Sequence, residues 1–226
     1  MSPTIILFAK EPQQGKVKTR LIPAIGAESA CALYECFLKD SITQINRIAA
    51  HHESSVYLMI TPESSKSYFE TLCAGLQVNR MNIQFQHGAD LGQRMCRALK
   101  VAIHANPAGA VVVGTDHPTL ADDVIEEALY ALSDYDSVIG PAEDGGYYLF
   151  GTKNLLTDLF ENMNWSTPEV FAETRSRLLH AGVTFYTLRT WYDVDTVVEL
   201  KRAQEQLKSD KFSSFSKRFL NDLKLD

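Results

Sequence analysis

Short apolar runs that alternate with longer amphipathic stretches constrain the fold of this chain more than any other feature. The run Val111-Val112-Val113 is β-branched without a polar interruption, so the strand that it forms must be covered on both faces. Strand-like segments that alternate with helix-like segments predict a βαβ chain with a mostly parallel sheet. We therefore expect an α/β protein built around a central strand at these valines.

The same alternation fixes the expected elements. The segments predicted as strands are Thr4–Ala9, Ser55–Ile60, Asn82–Gln86, Ala110–Gly114, Ser137–Gly140, Tyr147–Phe150 and Thr184–Thr187. The segments with helical apolar spacing are Ala27–Ala50, Leu91–Ile103, Val124–Leu132, Val170–Leu179 and Val197–Leu207. Without an internal repeat or a linker, one domain is expected over residues 1–208, and residues 209–226 form either a tail or a docked helix.

Composition narrows the class of protein. Hydrophobic residues make up 45% and charged residues 22%, which excludes wholesale disorder. Lysine and arginine total 22 against 28 acidic residues, a net charge of −6, which argues against a dedicated nucleic-acid-binding protein. The four cysteines form no C-x-x-C pair, and no apolar run approaches the ~18 residues of a membrane span. We expect a cytoplasmic protein with reduced thiols, and the oligomeric state stays open.

A basic loop follows the first strand. Lys10, Lys16, Lys18 and Arg20 fall within eleven residues, and Gly15 permits close backbone approach. Loops that leave the carboxyl ends of parallel strands bind ligands in open α/β sheets, so these cations could neutralise a diphosphate. A solvated charged loop is the alternative. The loop contains neither a P-loop motif nor a dinucleotide-binding fingerprint.

Asp116 stands at the tip of the predicted central strand. A carboxylate at this edge could hold Mg²⁺ or Mn²⁺ while a substrate phosphate supplies other ligands. The alternative is a turn or cap residue, and Thr119 with Asp122 resembles a helix-capping pair. His117 has no spaced metal-ligating partner, so a structural role is favoured for it.

Three further segments carry candidate residues. Asp144, Gly145 and Gly146 link two strand-like runs, and they predict a hairpin turn or a place where an acceptor lies. Asp193 and Asp195 alternate before the last helix, so both would project from one side of an extended segment.

The third segment opens a helix near residue 90. Gly92 and Arg94 lie in its first turn and could meet a nucleotide, whereas Asp90 could be a simple N-cap.

Together these segments resemble a known family. The motifs F-A-K-x-P-x-x-G-x-V-K-T-R-L, D-L-G-x-R-M, G-T-D-x-P-x-L, G-P-A-x-D-G-G-Y-Y-L-x-G, W-S-T-x-x-V and D-V-D-T run in this order from Phe8 to Thr196. This order resembles the bacterial DUF2064 group, assigned as A-type (GT-A) glycosyltransferases or nucleotide-diphospho-sugar transferases. The resemblance covers nearly the whole chain except its C-terminal tail.

The resemblance implies a GT-A-like α/β sandwich with a mixed central sheet and a metal-dependent transferase. Carried onto this chain, it implies that Asp116 and Asp195 hold Mg²⁺ or Mn²⁺ and that Lys18 and Arg20 contact phosphate. The expected substrates are a nucleotide-diphospho-sugar and a small-molecule acceptor, with Asp144 as the candidate base.

A departure from the family pattern keeps a second reaction open. Pro118 stands where a D-x-D pair would place its second acid, and His117 replaces a small residue or cysteine. Cytidylyl- and guanylyltransferases of this fold share a single acid before proline. The alternative is therefore a nucleotidyltransferase that uses an NTP and releases pyrophosphate.

Overall fold

The computed structural model describes residues 1–209 and 214–224, and its strands form one seven-stranded sheet. The strands are β1 Thr4–Lys10, β2 Val56–Thr61, β3 Met81–Phe85, β4 Ala110–Val113, β5 Ser137–Pro141, β6 Tyr147–Thr152 and β7 Phe185–Thr187. Their order across the sheet is β3-β2-β1-β4-β6-β5-β7. Neighbouring strands from β3 to β4 are parallel, β6 is antiparallel to both β4 and β5, and β7 is parallel to β5. The expected mostly parallel mixed sheet is confirmed.

Helices cover both faces of the sheet. They are α1 Ile22–His52, α2 Lys66–Gly75, α3 Leu91–Ala105, α4 Asp122–Asp134, α5 Val170–His180, α6 Val197–Ser209 and α7 Phe215–Asp222. The helical spacing in the sequence begins only at Ala27 because Gly26, with φ +80°, interrupts α1 after its first turn. The helix α2 was not predicted, since it buries only Phe69 and Cys73 and so lacks a clear apolar stripe.

The core lies on the two faces of the central strands. Ile5, Leu7, Val111 and Val113 pack in one apolar cluster with α1 and α4. Ile6 and Val112 point to the opposite face and pack with Leu99 of α3. Full burial of one such side chain contributes ~1.5–3 kcal/mol, so the valine run anchors the position of Asp116.

A third cluster joins the C-terminal helix to the domain. Leu220 of α7 is 1% exposed and packs with Phe37 of α1 and Leu200 of α6. The Asp40 carboxylate accepts hydrogen bonds from the backbone N–H groups of Phe215 and Ser216, each at 2.8 Å. Of the two predicted alternatives for this segment, the structure has the docked helix. Residues 210–213 and 225–226 of the predicted tail lie outside the described residues.

Among the described residues, one helical stretch, Thr19–His52, could cross a membrane by its length and composition alone. Core helices of soluble proteins meet the same criterion, and α1 buries one face against the sheet.

Candidate active site

The candidate site lies where the strand order changes direction, at the carboxyl ends of β1 and β4. The strand β1 pairs with β2 on one side and with β4 on the other. The loops that leave these two strands therefore diverge and leave a crevice, which is where open α/β sheets bind ligands. A pocket of about 350 Å³ occupies this crevice, and its lining includes Lys10, Asp116 and Arg94.

A buried lysine ammonium joins two carboxylates at this crevice. The Lys18 side chain is 3% exposed, and its Nζ contacts Asp116 Oδ1 and lies 3.0 Å from Asp195 Oδ1. Burial by itself lowers the pKa of Lys18, but the charges of Asp116 and Asp195 outweigh burial and raise the pKa above its ordinary value. Lys18 is therefore a permanent cation in contact with Asp116, which lines the pocket.

The loop holds Lys18 in this place through its neighbours. Val17 and Leu21 are buried on either side of Lys18 and fix the loop to the core. Lys18 itself has φ 46° and ψ 41°, a left-handed conformation that is uncommon for residues other than glycine. Such a backbone persists only where the surrounding structure determines it, and here it directs the ammonium between the two acids.

The two acids come from distant segments that are hydrogen-bonded to each other. The backbone N–H of Val194 donates to the carbonyl oxygen of Asp116 at 2.9 Å. Next to this bond, His117 Nδ1 lies 2.7 Å from Asp193 Oδ1. The two contacts bring Asp195 to the edge where Asp116 stands, so the sequence-predicted acids do lie together.

The His117–Asp193 pair is largely buried. The side chains of His117 and Asp193 are 5% and 25% exposed. Burial acts to raise the pKa of Asp193, but the His117 imidazole and its hydrogen bond, with a contribution from Lys18, lower the pKa below its ordinary value. No partner for His117 could be recognised from sequence spacing, because Asp193 is 76 residues away.

Tyr34 supports the pocket wall from α1. Its hydroxyl accepts a hydrogen bond from the Lys10 backbone N–H at 3.1 Å and lies 3.2 Å from Thr115 Oγ1. Burial, with a contribution from the Asp116 charge, raises the pKa of Tyr34 to about 12, so the phenol stays neutral. Tyr34 was not among the predicted site residues, since its helical spacing marked it only as a core position.

Of the predicted cations, Lys10 and Arg94 line the pocket, whereas Lys16, Lys18 and Arg20 do not. The Lys10 ammonium donates to the Lys16 carbonyl at 2.9 Å, and Arg94 Nε donates to the Gly88 carbonyl at 3.1 Å. Both side chains line the pocket. Arg20 and Gly15 are exposed and lie outside its lining, so their predicted contact with phosphate stays a prediction.

The hairpin residues lie in a turn outside the pocket lining. The turn joins β5 and β6, and Asp144 Oδ1 accepts a hydrogen bond from the Gly146 N–H at 2.9 Å. Gly145 has φ +89° and packs so closely on Pro168 that a Cβ would overlap its backbone. These contacts give all three residues a role in the turn, and their predicted roles at the acceptor stay predictions.

The helix-start residues also have structural roles. Gly92 packs against Trp165, whose indole a Cβ at this position would overlap. Asp90 caps α3, since its Oδ1 accepts from the Gln93 N–H at 2.8 Å. The predicted capping pair at Thr119 is wrong: α4 begins after Ala121, and Thr119 Oγ1 instead accepts a hydrogen bond from Trp191 Nε1.

The carboxylates fit a divalent cation. Lys18 contacts the Oδ1 atom of both Asp116 and Asp195, which leaves the Oδ2 atom of each acid outside these two ion pairs, and both side chains remain more than 40% exposed toward solvent. Carboxylate oxygens on an open edge suit Mg²⁺ or Mn²⁺, which keep water and substrate oxygens as further ligands.

A solved structure that matches nearly the whole chain shows that the fold is that of the nucleotide-diphospho-sugar transferases, and the protein is a transferase by class. A protein of Desulfovibrio desulfuricans G20, assigned as a nucleotide-diphospho-sugar transferase, is 32% identical to this chain; the match covers 98% of this chain and 95% of that one, with a TM-score of 0.87. The model of the DUF2064 family, "Uncharacterized protein conserved in bacteria", matches residues 44–167. The chain belongs to this family, as its ordered motifs predicted.

More distant structures share the fold alone. The 4-diphosphocytidyl-2C-methyl-D-erythritol synthase of Anaerococcus prevotii DSM 20548 is 9% identical to this chain. The match covers 91% of this chain and 96% of that one, with a TM-score of 0.57. A CMP:2-keto-3-deoxy-manno-octonic acid synthetase in complex with CTP is 13% identical, covers 92% and 99%, and has a TM-score of 0.52. No curated protein matches the chain.

Proposed function

We propose that this protein transfers a sugar from a nucleotide-diphospho-sugar to a small-molecule acceptor, with Mg²⁺ or Mn²⁺ at the diphosphate. The observation that carries the proposal is the buried Lys18 ammonium between Asp116 and Asp195 at the strand crevice. The 32% identical relative is assigned to the same class of donor.

The charges of Lys18, Asp116 and Asp195 explain why a metal ion is part of the proposal. Two carboxylates and one ammonium leave one net negative charge where a diphosphate would bind. A diphosphate is itself anionic, so this net charge opposes its binding, and positive charge must come from Lys10 and Arg94 of the pocket lining and from a further cation near the acids. If Asp116 and Asp195 hold a divalent ion, its charge would outweigh the net negative charge of the three side chains and would offset charge on the leaving nucleoside diphosphate.

The cationic side chains then orient the donor. Lys18 remains protonated and can donate to a phosphate oxygen, while Lys10 and Arg94 present further positive charge along the pocket. Negative charge develops on the diphosphate as the bond to the sugar breaks. Cations fixed in advance at that place stabilise the transition state without reorganisation.

Nucleotidyl transfer is the second candidate. Pro118 follows His117 where a D-x-D motif would supply a second acid, so the metal acids come from separate segments. The lining cations Lys10 and Arg94, with Lys18 beside Asp116 and a metal ion, would suit the triphosphate of an NTP as well. In this case a phosphorylated acceptor would attack the α-phosphorus, and pyrophosphate would leave.

Ligand-induced thermal stabilisation tests the proposal. We expect a nucleotide-sugar with Mn²⁺ to raise the unfolding midpoint, since a ligand that binds only the folded state stabilises it by mass action. The variant Asp116→Asn should abolish this metal-dependent rise. The matched control is Asp134→Asn, an exposed acid at the end of α4, which should respond like wild type.

The products separate the two reactions. Release of a nucleoside diphosphate from a nucleotide-sugar, dependent on an added acceptor, supports sugar transfer. Pyrophosphate formed from an NTP and a phosphorylated acceptor overturns it in favour of nucleotidyl transfer. Donor binding that survives unchanged in both Asp116→Asn and Lys18→Met would place the site elsewhere.

A further inference from the structure

A cluster of two histidines and a glutamate lies at the end of α1, separate from the pocket. His51 and His52 are the last residues of α1, and Glu126 faces them from α4. Glu126 Oε1 lies 3.5 Å from His51 Nδ1 and 3.2 Å from His52 Nε2. One ligand atom from each residue lies within 4.8 Å of the others. We propose that these three side chains bind a divalent transition-metal ion, best matched by Zn²⁺.

The donor set selects this class of ion. Two imidazole nitrogens and one carboxylate oxygen suit Zn²⁺ and its neighbours, whereas Mg²⁺ prefers oxygen ligands alone. Donors around a tetrahedral Zn²⁺ lie ~3.3 Å apart, given metal–ligand distances of ~2.0–2.1 Å. Both histidine–glutamate distances are already near this value. Rotation of the His51 side chain, which is 71% exposed, can bring the ring nitrogens of His51 and His52 to the same separation.

Two further observations favour a cation at this place. The His52 side chain is 8% exposed and lies edge-on to the Tyr130 ring at 5.3 Å, so its Nε2 is held toward Glu126 before any metal arrives. In the described part of the chain, no lysine or arginine forms an ion pair with Glu126, whose neighbours are the two histidines. A metal ion would therefore supply the missing positive charge.

An ion pair joins the two helices next to the cluster. One turn earlier on α1, Arg47 donates to both carboxylate oxygens of Asp122 at the start of α4, at 2.8 and 2.6 Å. An ion at the cluster would link α1 and α4 at a second place, in addition to the Arg47–Asp122 pair. The helix α1 follows the loop that contains Lys18, and α4 follows the loop that contains Asp116. An ion bound between α1 and α4 would therefore connect the two helices that adjoin the crevice.

Zinc titration of the untagged chain by calorimetry tests the site. Excess Mg²⁺ is present throughout to compete for the Asp116 and Asp195 carboxylates. We expect one saturable Zn²⁺ site with micromolar affinity, weakened at least tenfold by His51→Ala and by Glu126→Gln. The control His104→Ala, an exposed histidine in α3, should bind like wild type, and so should Asp116→Asn.

Each outcome decides the proposal. Because His51 is exposed, His51→Ala cannot lose zinc through misfolding, and circular dichroism verifies this. Zinc should also raise the unfolding midpoint of wild type and of Asp116→Asn but not of His51→Ala. Wild-type affinity in both cluster variants, or no saturable zinc binding by the wild type, overturns the proposal. Neither result bears on the proposed transferase reaction.

Discussion

Lys18 combines two features that destabilise an ordinary loop lysine. Its backbone is left-handed, which costs ~1–2 kcal/mol for a residue with a Cβ, and its ammonium is removed from water. The contacts with Asp116 and Asp195 offset the second cost. A residue that its surroundings hold in such an unfavourable state is a candidate for function. The cluster of cations after β1 was the feature of the sequence that indicated Lys18.

Lys18→Met is therefore expected to weaken donor binding by about 30- to 160-fold, the loss of one charge-assisted hydrogen bond of ~2–3 kcal/mol. Methionine keeps the aliphatic stem, so the fold should persist. Calorimetric titration with the donor and Mn²⁺ measures the change. The control is Lys16→Met, an exposed lysine of the same loop, and equal losses in the two variants would contradict a specific role for Lys18.

The buried His117–Asp193 pair shows which part of the site the sequence does not predict. The two residues are adjacent in space because the loop after β4 and the segment before α6 meet, although 76 residues separate them. Local patterns carry no information on such a pairing. The sequence could place each acid at the end of a segment, but only the fold shows which partner each acid has.

Asp193→Asn should lower the free energy of unfolding by about 2 kcal/mol at neutral pH, since it removes a charge-assisted hydrogen bond to a buried partner. The pKa of Asp193 is lower in the folded protein than its ordinary value of 3.8. Such a group stabilises the fold above its unfolded pKa, and this contribution is lost as the pH falls through the folded pKa.

The stability difference between wild type and Asp193→Asn should therefore shrink as the pH falls below 3.8. Urea unfolding at a series of pH values measures it, with Asp134→Asn as the exposed control. A difference that stays constant with pH would show that the charge of Asp193 contributes nothing.

At the scale of elements, the prediction from sequence was most accurate where burial is continuous. All seven strands lie where they were predicted. The central strand β4 is covered on both faces and needs unbroken hydrophobic residues, whereas the edge strands β3 and β7 are only partly buried. The helix α2 was missed because it lies on the rim of the sheet and buries few side chains. Turn glycines were recognised, but their local packing could not be predicted.

Gly15 and Gly145 distinguish the need for a positive φ from the need for space at the Cβ position. Both have positive φ, +77° and +89°, but a Cβ at Gly15 meets open space while a Cβ at Gly145 overlaps the Pro168 backbone. We expect Gly15→Ala to destabilise the fold by ~1–2 kcal/mol, the cost of a left-handed backbone alone. Gly145→Ala should cost ~1–3 kcal/mol more, because overpacking adds to it. Chemical denaturation measures both, and equal effects would contradict the packing argument.

At the scale of the whole molecule, one apolar cluster anchors the two segments that carry Lys18 and Asp195. Leu21 follows the Lys18 loop, and Val194 lies between Asp193 and Asp195; both are fully buried in the cluster that contains Leu220. The sequence left the C-terminal segment undecided, since its spaced aromatic residues fit a free tail as well as a docked helix. Docking depends on a groove between α1 and α6 that only the folded chain provides.

Leu220→Ala tests whether this docking stabilises the molecule. Removal of a buried leucine side chain costs ~2–5 kcal/mol, and Leu220 is 1% exposed, so a loss of about 3 kcal/mol in the free energy of unfolding is expected. Val198→Ala is the matched apolar control on α6; this valine is 74% exposed, and its loss should change stability by less than ~0.5 kcal/mol. Urea unfolding at neutral pH compares the two. If α7 were a loosely attached tail, Leu220→Ala would match the control, and the cluster that fixes Leu21 and Val194 would then be complete without the C-terminal helix.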